Sequence, residues 1–197
     1  MKNFLWQNHP WLVVSVILLI TMFLGEQTVS QFQYQRQMVL DGQIYRLLTA
    51  HFVHTNLYHT LLNLAGLIII GMLANTYLIQ KDWWVVLLVS AIFVGGGLIL
   101  LDQNVQWYRG LSGILHGVVV LMILKARQLA SMIRAIILVG LAVKLMLEQM
   151  HTGLWQSEQL IGAPVIVNAH LYGVMGGAVS YLILRQTQSK RMFRENF

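Results

Sequence analysis

The chain has 197 residues, enough for one domain, and 57% of them are hydrophobic while only 10% are charged. Soluble domains carry about a quarter charged residues, so the composition predicts a protein that crosses a membrane several times. The formal net charge is +6, but the basic residues are spread over loops and ends, which argues against a nucleic-acid partner. The sequence contains no cysteine, which excludes disulfides, a thiolate nucleophile and a cysteine-ligated metal.

Six apolar segments approach the roughly 20 residues that a helix needs to cross the hydrocarbon core. Helices are expected, because backbone groups in lipid must find their hydrogen bonds within the segment. Lys2 precedes the first segment as in a signal peptide, but no convincing cleavage site follows Gly25, so we interpret it as a span. The sequence therefore predicts an all-α membrane protein with a single domain over residues 1–197. The predicted spans cover about residues 11–24, 57–79, 83–101, 111–124, 129–147 and 165–184.

The connections between these spans differ in length. Residues 26–54 form a long polar stretch rich in glutamine, and an insertion of that size in a compact domain is usually functional or disordered. The connection at residues 81–83 is very short. It predicts that the second and third spans form a tight antiparallel pair.

The distribution of lysine and arginine predicts that both termini are cytoplasmic. Spans two, four and six then run inward from the outer face. His59, Asn63, Ser112 and His170 lie near the starts of these spans, so we expect all four in the outer half of the bilayer. The predicted inner side holds Lys2, Lys81, Lys125, Arg127, Arg134, Arg185, Lys190, Arg191 and Arg194, and the outer side holds Arg36, Arg46 and Arg109.

A serine opens the fourth span in the sequence Gly110-Leu111-Ser112-Gly113. A hydroxyl group within the membrane needs a hydrogen-bond partner or has a functional role. Serine becomes a nucleophile when a base takes its proton, and His170 is the candidate base because imidazole titrates near neutrality. Neither aspartate nor glutamate lies near His170 in sequence. We therefore expect a Ser-His dyad that requires no carboxylate.

Attack of a serine on a peptide carbonyl creates an oxyanion that needs hydrogen-bond donors. His59 and Asn63 lie four residues apart on one helix face, and both can donate. The backbone N–H of Ser112 is a third candidate, because a helix start favours negative charge.

Glycines are spaced for close packing of two of the predicted spans. Gly113 and Gly117 form a flat face on span four, and Gly173 and Gly177 form a similar face on span six. Small residues at this spacing let membrane helices touch. Contact between the two faces would bring the serine to the histidine.

Three motifs resemble those of the rhomboid intramembrane serine proteases: G-L-S-G at 110–113, H-x-x-x-x-H-x-x-x-N at 54–63, and A-H-x-x-G-x-x-x-G at 169–177. The pair Tyr45-Arg46 is similar to the pair that anchors the family's first outer loop. The resemblance covers about residues 40–185 and implies a six-helix bundle with a water-filled cavity open to the outer face.

The resemblance also implies roles for individual residues. Ser112 would be the nucleophile and His170 the base, while His59, Asn63 and the Ser112 N–H would bind the oxyanion. No cofactor or metal is implied, and the partners are membrane lipids and single-span membrane-anchored substrates. Substrates would enter laterally as span five and an outer loop move. The residues implied to support the site are Gly110, Gly113, Gly173 and His116.

Many rhomboids carry a tyrosine four residues after the serine, where this chain has His116. The short form G-L-S-G-x-L-H-G resembles the rhombosortase branch, which is associated with trimming C-terminal Gly-Gly anchor segments from exported proteins of Gram-negative bacteria. This resemblance implies a bacterial inner membrane and a site open to the periplasm. We interpret His116 as a packing partner of His170, with a direct part in proton handling as the alternative.

Other interpretations remain open at this stage. A proteolytically inactive relative could bind and escort membrane spans, although such relatives usually lack the serine or the histidine. A six-span transporter is disfavoured by the absence of an inverted repeat. A metal site at His51, His54 and His59 is disfavoured by the lack of carboxylate ligands, and Lys144 and Glu148 are expected to form a local ion pair on span five.

Overall fold

The computed structural model describes residues 10–150 and 155–195, and it is 76% helical. The predictions that concern residues 1–9, 151–154 and 196–197, including the location of the two ends of the chain, lie outside the described residues. The elements are α1 (Pro10–Met22), α2 (Glu26–Phe32), β1 (Tyr34–Gln35), α3 (Arg36–Leu40), α4 (Arg46–Thr49), a 3-10 turn (Ala50–Phe52), α5 (Leu57–Ala74), α6 (Gln80–Leu100), β2 (Trp107–Tyr108), α7 (Ser112–Lys125), α8 (Ser131–Gln149), α9 (Trp155–Ile161) and α10 (Val167–Glu195).

Three of the described helices are long and apolar enough to cross a membrane: α5, α6 and the part of α10 at Val167–Thr187. Helices α1 and α7 are apolar but shorter. Helix α8 has 19 residues and carries Arg134, Lys144 and Glu148, which lower its apolar character. The chain is therefore a mostly helical membrane protein. The count of six membrane spans and the cytoplasmic location of both termini stay predictions.

Helix α7 lies at the centre of the bundle and packs closely against α10 and α6. The expected pairing of the second and third spans is wrong, because α5 packs mainly on α1 and α7, whereas α6 packs mainly on α10 and α7. Glycines explain this choice of neighbours. A Cβ on Gly71 of α5 would lie 2.6 Å from the Trp11 ring of α1, and one on Gly97 of α6 would lie 2.3 Å from the Tyr172 ring of α10.

The polar stretch at residues 26–54 is folded in the structure and is held by the buried side chain of Arg46, which is 6% exposed. Its Nη1 donates to the carbonyl oxygens of Ser30 at 2.8 Å and Gln33 at 2.9 Å, and its Nε donates to Gln43 Oε1 at 2.7 Å. A buried guanidinium must satisfy its donors, so these bonds fix three parts of the loop relative to one another.

A two-stranded antiparallel sheet joins this loop to the segment before α7. Strand β1 pairs with β2, with Tyr34 opposite Tyr108 and Gln35 opposite Trp107. Arg109 extends the connection, because its Nε donates to Gln33 Oε1 at 2.6 Å and its guanidinium forms an ion pair with Glu26. The hydrogen bond from Arg109 lowers the pKa of the Glu26 carboxyl. These short strands, which the sequence patterns do not indicate, fix the approach to α7 together with Arg109.

Candidate active site

The backbone before Ser112 is held in an unusual conformation. Gly110 has a φ of +123°, its N–H donates to the Ala50 carbonyl at 3.0 Å, and its carbonyl accepts from the Tyr108 hydroxyl at 2.7 Å. Burial raises the pKa of Tyr108, so its hydroxyl stays a donor. A Cβ on Gly110 would also lie 2.8 Å from His59 Nε2. Only glycine fits this position, both by its backbone angle and by the space available.

Helices α7 and α10 touch backbone to backbone through their glycines. A Cβ on Gly173 would lie 1.8 Å from the Gly113 carbonyl oxygen, and a Cβ on Gly177 would lie 2.3 Å from that of Gly117. Without side chains between the helices, the start of α7 lies directly against the first turn of α10.

This packing brings Ser112 and His170 into hydrogen-bond contact. The serine Oγ lies 2.9 Å from the histidine Nε2. Ser112 is the first residue of α7 and His170 lies in the first turn of α10, so the two side chains meet at one end of the bundle. The structure thus places together the two side chains that the sequence motifs select.

Glu148 is a third member of this group that the sequence analysis missed. Its Oε2 lies 2.9 Å from His170 Nδ1, the ring nitrogen that faces away from Ser112. The chain near His170 offers no carboxylate, but the fold brings one into contact with the ring; whether the expected dyad needs it stays a prediction. Glu148 precedes His170 by 22 residues and reaches it from α8, so proximity along the chain could not reveal the contact. The available signal was the Lys144/Glu148 pair, two charges near the end of a mostly apolar segment.

His116 and Lys144 close a ring of contacts around His170. The His116 ring stacks on that of His170 with centroids 4.2 Å apart and an angle of 19° between the planes. His116 Nδ1 lies 2.7 Å from the Ser112 carbonyl oxygen, and its Nε2 lies 3.0 Å from Lys144 Nζ. Lys144 Nζ also forms an ion pair with Glu148 Oε1 at 2.5 Å, in agreement with the expected local pair.

The two candidate oxyanion donors, His59 and Asn63, are buried side chains of α5. Asn63 Nδ2 donates to the His59 carbonyl at 3.0 Å, and His59 Nδ1 lies 3.0 Å from the Thr55 hydroxyl. Thr55 in turn donates to the Ile161 carbonyl at 2.7 Å, which ties the start of α5 to the end of α9. Each of these two side chains therefore has a hydrogen-bond partner that limits its rotation.

Ser112, His170, His59 and Asn63 line one cavity of about 410 Å³. Apolar side chains of α5, α7 and α8 line one part of its wall, Trp107 and Tyr108 line another, and the chain from Ile161 to Ile166 lies along a further side. Such a concave apolar site with a few polar groups is typical of ligand-binding cavities.

One group of possible metal ligands meets within the described residues: atoms of His116, Glu148 and His170 lie within 4.8 Å of one another. The Lys144 ammonium contacts two of the three, and this fixed positive charge opposes a cation. The alternative trio at residues 51, 54 and 59 does not form such a group among the described residues. Burial lowers the pKa of His51 to about 4 and that of His54 to about 3, because it disfavours the imidazolium.

The fold and the cavity define a helical membrane protein with a serine and a histidine in contact beneath an apolar pocket. The chain matches the family model described as Rhomboid domain over residues 41–187, and it therefore belongs to the rhomboid family. Members of this family are intramembrane serine proteases. The resemblance to this family that the motifs carry is thus confirmed. No curated protein matches the chain.

Proposed function

We propose that the protein is an intramembrane serine endopeptidase in which Ser112 is the nucleophile and His170 is the base. The observation that carries this proposal is the 2.9 Å contact between Ser112 Oγ and His170 Nε2 at the cavity wall. Ser112 Oγ attacks the peptide carbonyl while its proton passes to His170 Nε2. The C–N bond then breaks, the leaving amine takes that proton, and water hydrolyses the ester by the same route.

The oxyanion of each tetrahedral intermediate is bound by the Ser112 backbone N–H together with Asn63 and His59. Three features support this assignment. The first N–H groups of α7 have no acceptor within their own helix, the helix dipole favours negative charge at Ser112, and both α5 side chains line the same cavity. Gly113 and Gly173 support the site by allowing the backbones of α7 and α10 to approach closely, and Gly110 supports it by its positive φ and by leaving room for the His59 ring.

The proposed location is a bacterial inner membrane, crossed by six helices with both termini in the cytoplasm. The bias of lysine and arginine toward one side supports this orientation. It directs the cavity toward the periplasm. The partners are then membrane lipids and single-span membrane-anchored proteins, which are cleaved near the outer face.

The proposed substrates are exported proteins with a C-terminal Gly-Gly anchor segment, as in the rhombosortase branch. The motif G-L-S-G-x-L-H-G, with His116 stacked on His170, supports this assignment. Comparative proteomics of membrane and secreted fractions tests it. Proteins that keep their C-terminal anchor only when Ser112 is replaced would be the substrates, and anchors without Gly-Gly would contradict the branch assignment.

The mechanism is tested with Ser112→Ala and His170→Ala in purified protein. Either change is expected to abolish cleavage of a single-span reporter while membrane insertion and thermal unfolding stay unchanged. Ser180→Ala is a matched control, since the Ser180 hydroxyl is buried and bonded to the Gly176 carbonyl of its own helix at 2.7 Å. Cleavage that persists in Ser112→Ala would contradict the mechanism.

The alternative function is that of a proteolytically inactive relative that binds and escorts membrane spans. Labelling by a fluorophosphonate probe distinguishes the two, because the probe reacts with an activated serine. An escort protein would bind spans but would not be labelled at Ser112.

A further inference from the structure

A closed ring of polar contacts links three helices around the candidate base. It passes from Ser112 Oγ to His170, Glu148, Lys144 and His116, and it returns to the Ser112 carbonyl oxygen. Helix α7 supplies Ser112 and His116, α10 supplies His170, and α8 supplies the two charged members.

The carboxylate determines which nitrogen of His170 carries the hydrogen. A carboxylate only accepts hydrogen bonds, so the 2.9 Å contact places a hydrogen on Nδ1. In the neutral ring, Nε2 is then left as the acceptor, 2.9 Å from the Ser112 hydroxyl. A general base must present this tautomer to the nucleophile. Glu148 also lies where it stabilises the imidazolium formed when the ring takes the serine proton.

Lys144 fixes the other side of the ring. An ammonium only donates, so His116 Nε2 accepts from Lys144, and His116 Nδ1 carries the hydrogen donated to the Ser112 carbonyl. His116 is therefore neutral in this arrangement. A neutral ring can stack on His170 after that ring becomes positively charged, whereas two imidazolium rings would repel each other.

Helix α8 has few other attachments to the bundle. Only Leu145 and Glu148 are buried among its 19 residues, whereas α7 has nine buried residues. Beyond the ring, Gln149 Nε2 donates to Asn168 Oδ1 of α10 at 2.9 Å. The polar contacts that dock the end of α8 thus include those that orient the base.

We propose that Glu148 is a positioning residue for His170, and that the base is fully oriented only when α8 is docked against α10. This inference rests on the proposed function. It differs from the expected dyad because it adds a carboxylate from a helix with only two buried residues.

The test measures the rate at which fluorophosphonate labels Ser112. Glu148→Gln is expected to lower that rate about 100-fold, the lower end of what a positioned general base contributes. Glu158→Gln is the matched control, because Glu158 accepts a hydrogen bond from the Val165 N–H at 3.0 Å and has no contact with His170. The double variant Lys144→Met/Glu148→Gln removes both charges of the ion pair and should be as slow as Glu148→Gln. Thermal unfolding verifies that each variant is folded.

Two further comparisons distinguish a positioning role of Glu148 from a general loss of packing. In the His170→Ala background, Glu148→Gln should cause no additional loss of the residual labelling. Leu145→Ala, which weakens the docking of α8, should slow labelling in the wild-type background but not in Glu148→Gln.

The results discriminate clearly. Labelling of Glu148→Gln within about threefold of the wild type, or equal effects of Leu145→Ala in both backgrounds, would overturn the inference and leave the proposed function intact. A folded wild-type protein that is never labelled would instead refute the proposed function, and the inference with it.

Discussion

The backbone contact between α7 and α10 determines whether the serine and the histidine can meet, and Gly173→Ala tests it. The added Cβ would lie 1.8 Å from the Gly113 carbonyl oxygen and 2.6 Å from the Gly113 carbonyl carbon. Both atoms belong to the backbone of α7, so no side chain can rotate away. The two helices must therefore separate.

The size of the effect follows from these distances. Cβ atoms are essentially never found closer than 3.0 Å to another atom, so the helices must move apart by about 1.2 Å. Gly113 adjoins Ser112, and Gly173 lies one turn from His170. We expect this shift to lengthen the 2.9 Å contact between Ser112 Oγ and His170 Nε2 to about 4 Å, beyond hydrogen bonding. A displacement of about 1 Å at reacting groups can reduce the rate about 100-fold.

The assay compares the rate of fluorophosphonate labelling with thermal unfolding in detergent. Gly96→Ala is the control, because a Cβ on Gly96 of α6 meets nothing within 4 Å. Alanine is favoured over glycine inside a helix by about 1 kcal/mol, so this control should be as stable as the wild type or slightly more stable. Gly177→Ala, one turn deeper, should show a smaller loss of labelling. A folded Gly173→Ala protein labelled at the wild-type rate would refute the reasoning.

Three other changes have distinct expected outcomes. Asn63→Ala removes a proposed oxyanion donor and should lower the rate of reporter cleavage about 100- to 1,000-fold with little change in KM, whereas a change in KM alone would argue for a role in substrate binding. His54→Phe tests a buried histidine whose ring nitrogens have no hydrogen-bond partner among the described residues. Burial lowers its pKa to about 3, so between pH 6.5 and about 3 the unfolded chain binds a proton that the folded one does not, and stability falls as the pH is lowered. The variant should therefore lose less thermal stability than the wild type between pH 7 and pH 5, and an equal loss would contradict this explanation. Asp82→Asn breaks the buried ion pair with Lys125, at 2.5 Å, at the end of α7 opposite Ser112. It should reduce the free energy of unfolding by about 3 kcal/mol without changing the labelling rate of the folded protein, as measured by denaturant titration and labelling together.

The sequence alone determined the class of protein and the glycine-rich helix faces that meet. Apolar length predicts helices that cross a membrane, and regular spacing of small residues predicts a flat face, because both properties follow from local helix geometry. The pair Ser112 and His170 could be selected because each lies near the start of a predicted span beside such a face. The predicted helix ends were less accurate than the predicted helices: α5 ends at Ala74, whereas the predicted span continued to residue 79. Helix ends depend on local turns that hydropathy does not report.

Only the tertiary structure decided which distant elements lie side by side. Glu148 reaches His170 from a separate helix, and α5 packs on α1 and α7 rather than on its sequence neighbour α6. The polar stretch around Arg46 is ordered because its carbonyl groups surround a buried guanidinium, a contact that composition cannot indicate. The physical reason is the same in each case. A helix or loop sequence specifies the faces it offers, but the partner of each face is chosen by the fit of surfaces far apart along the chain.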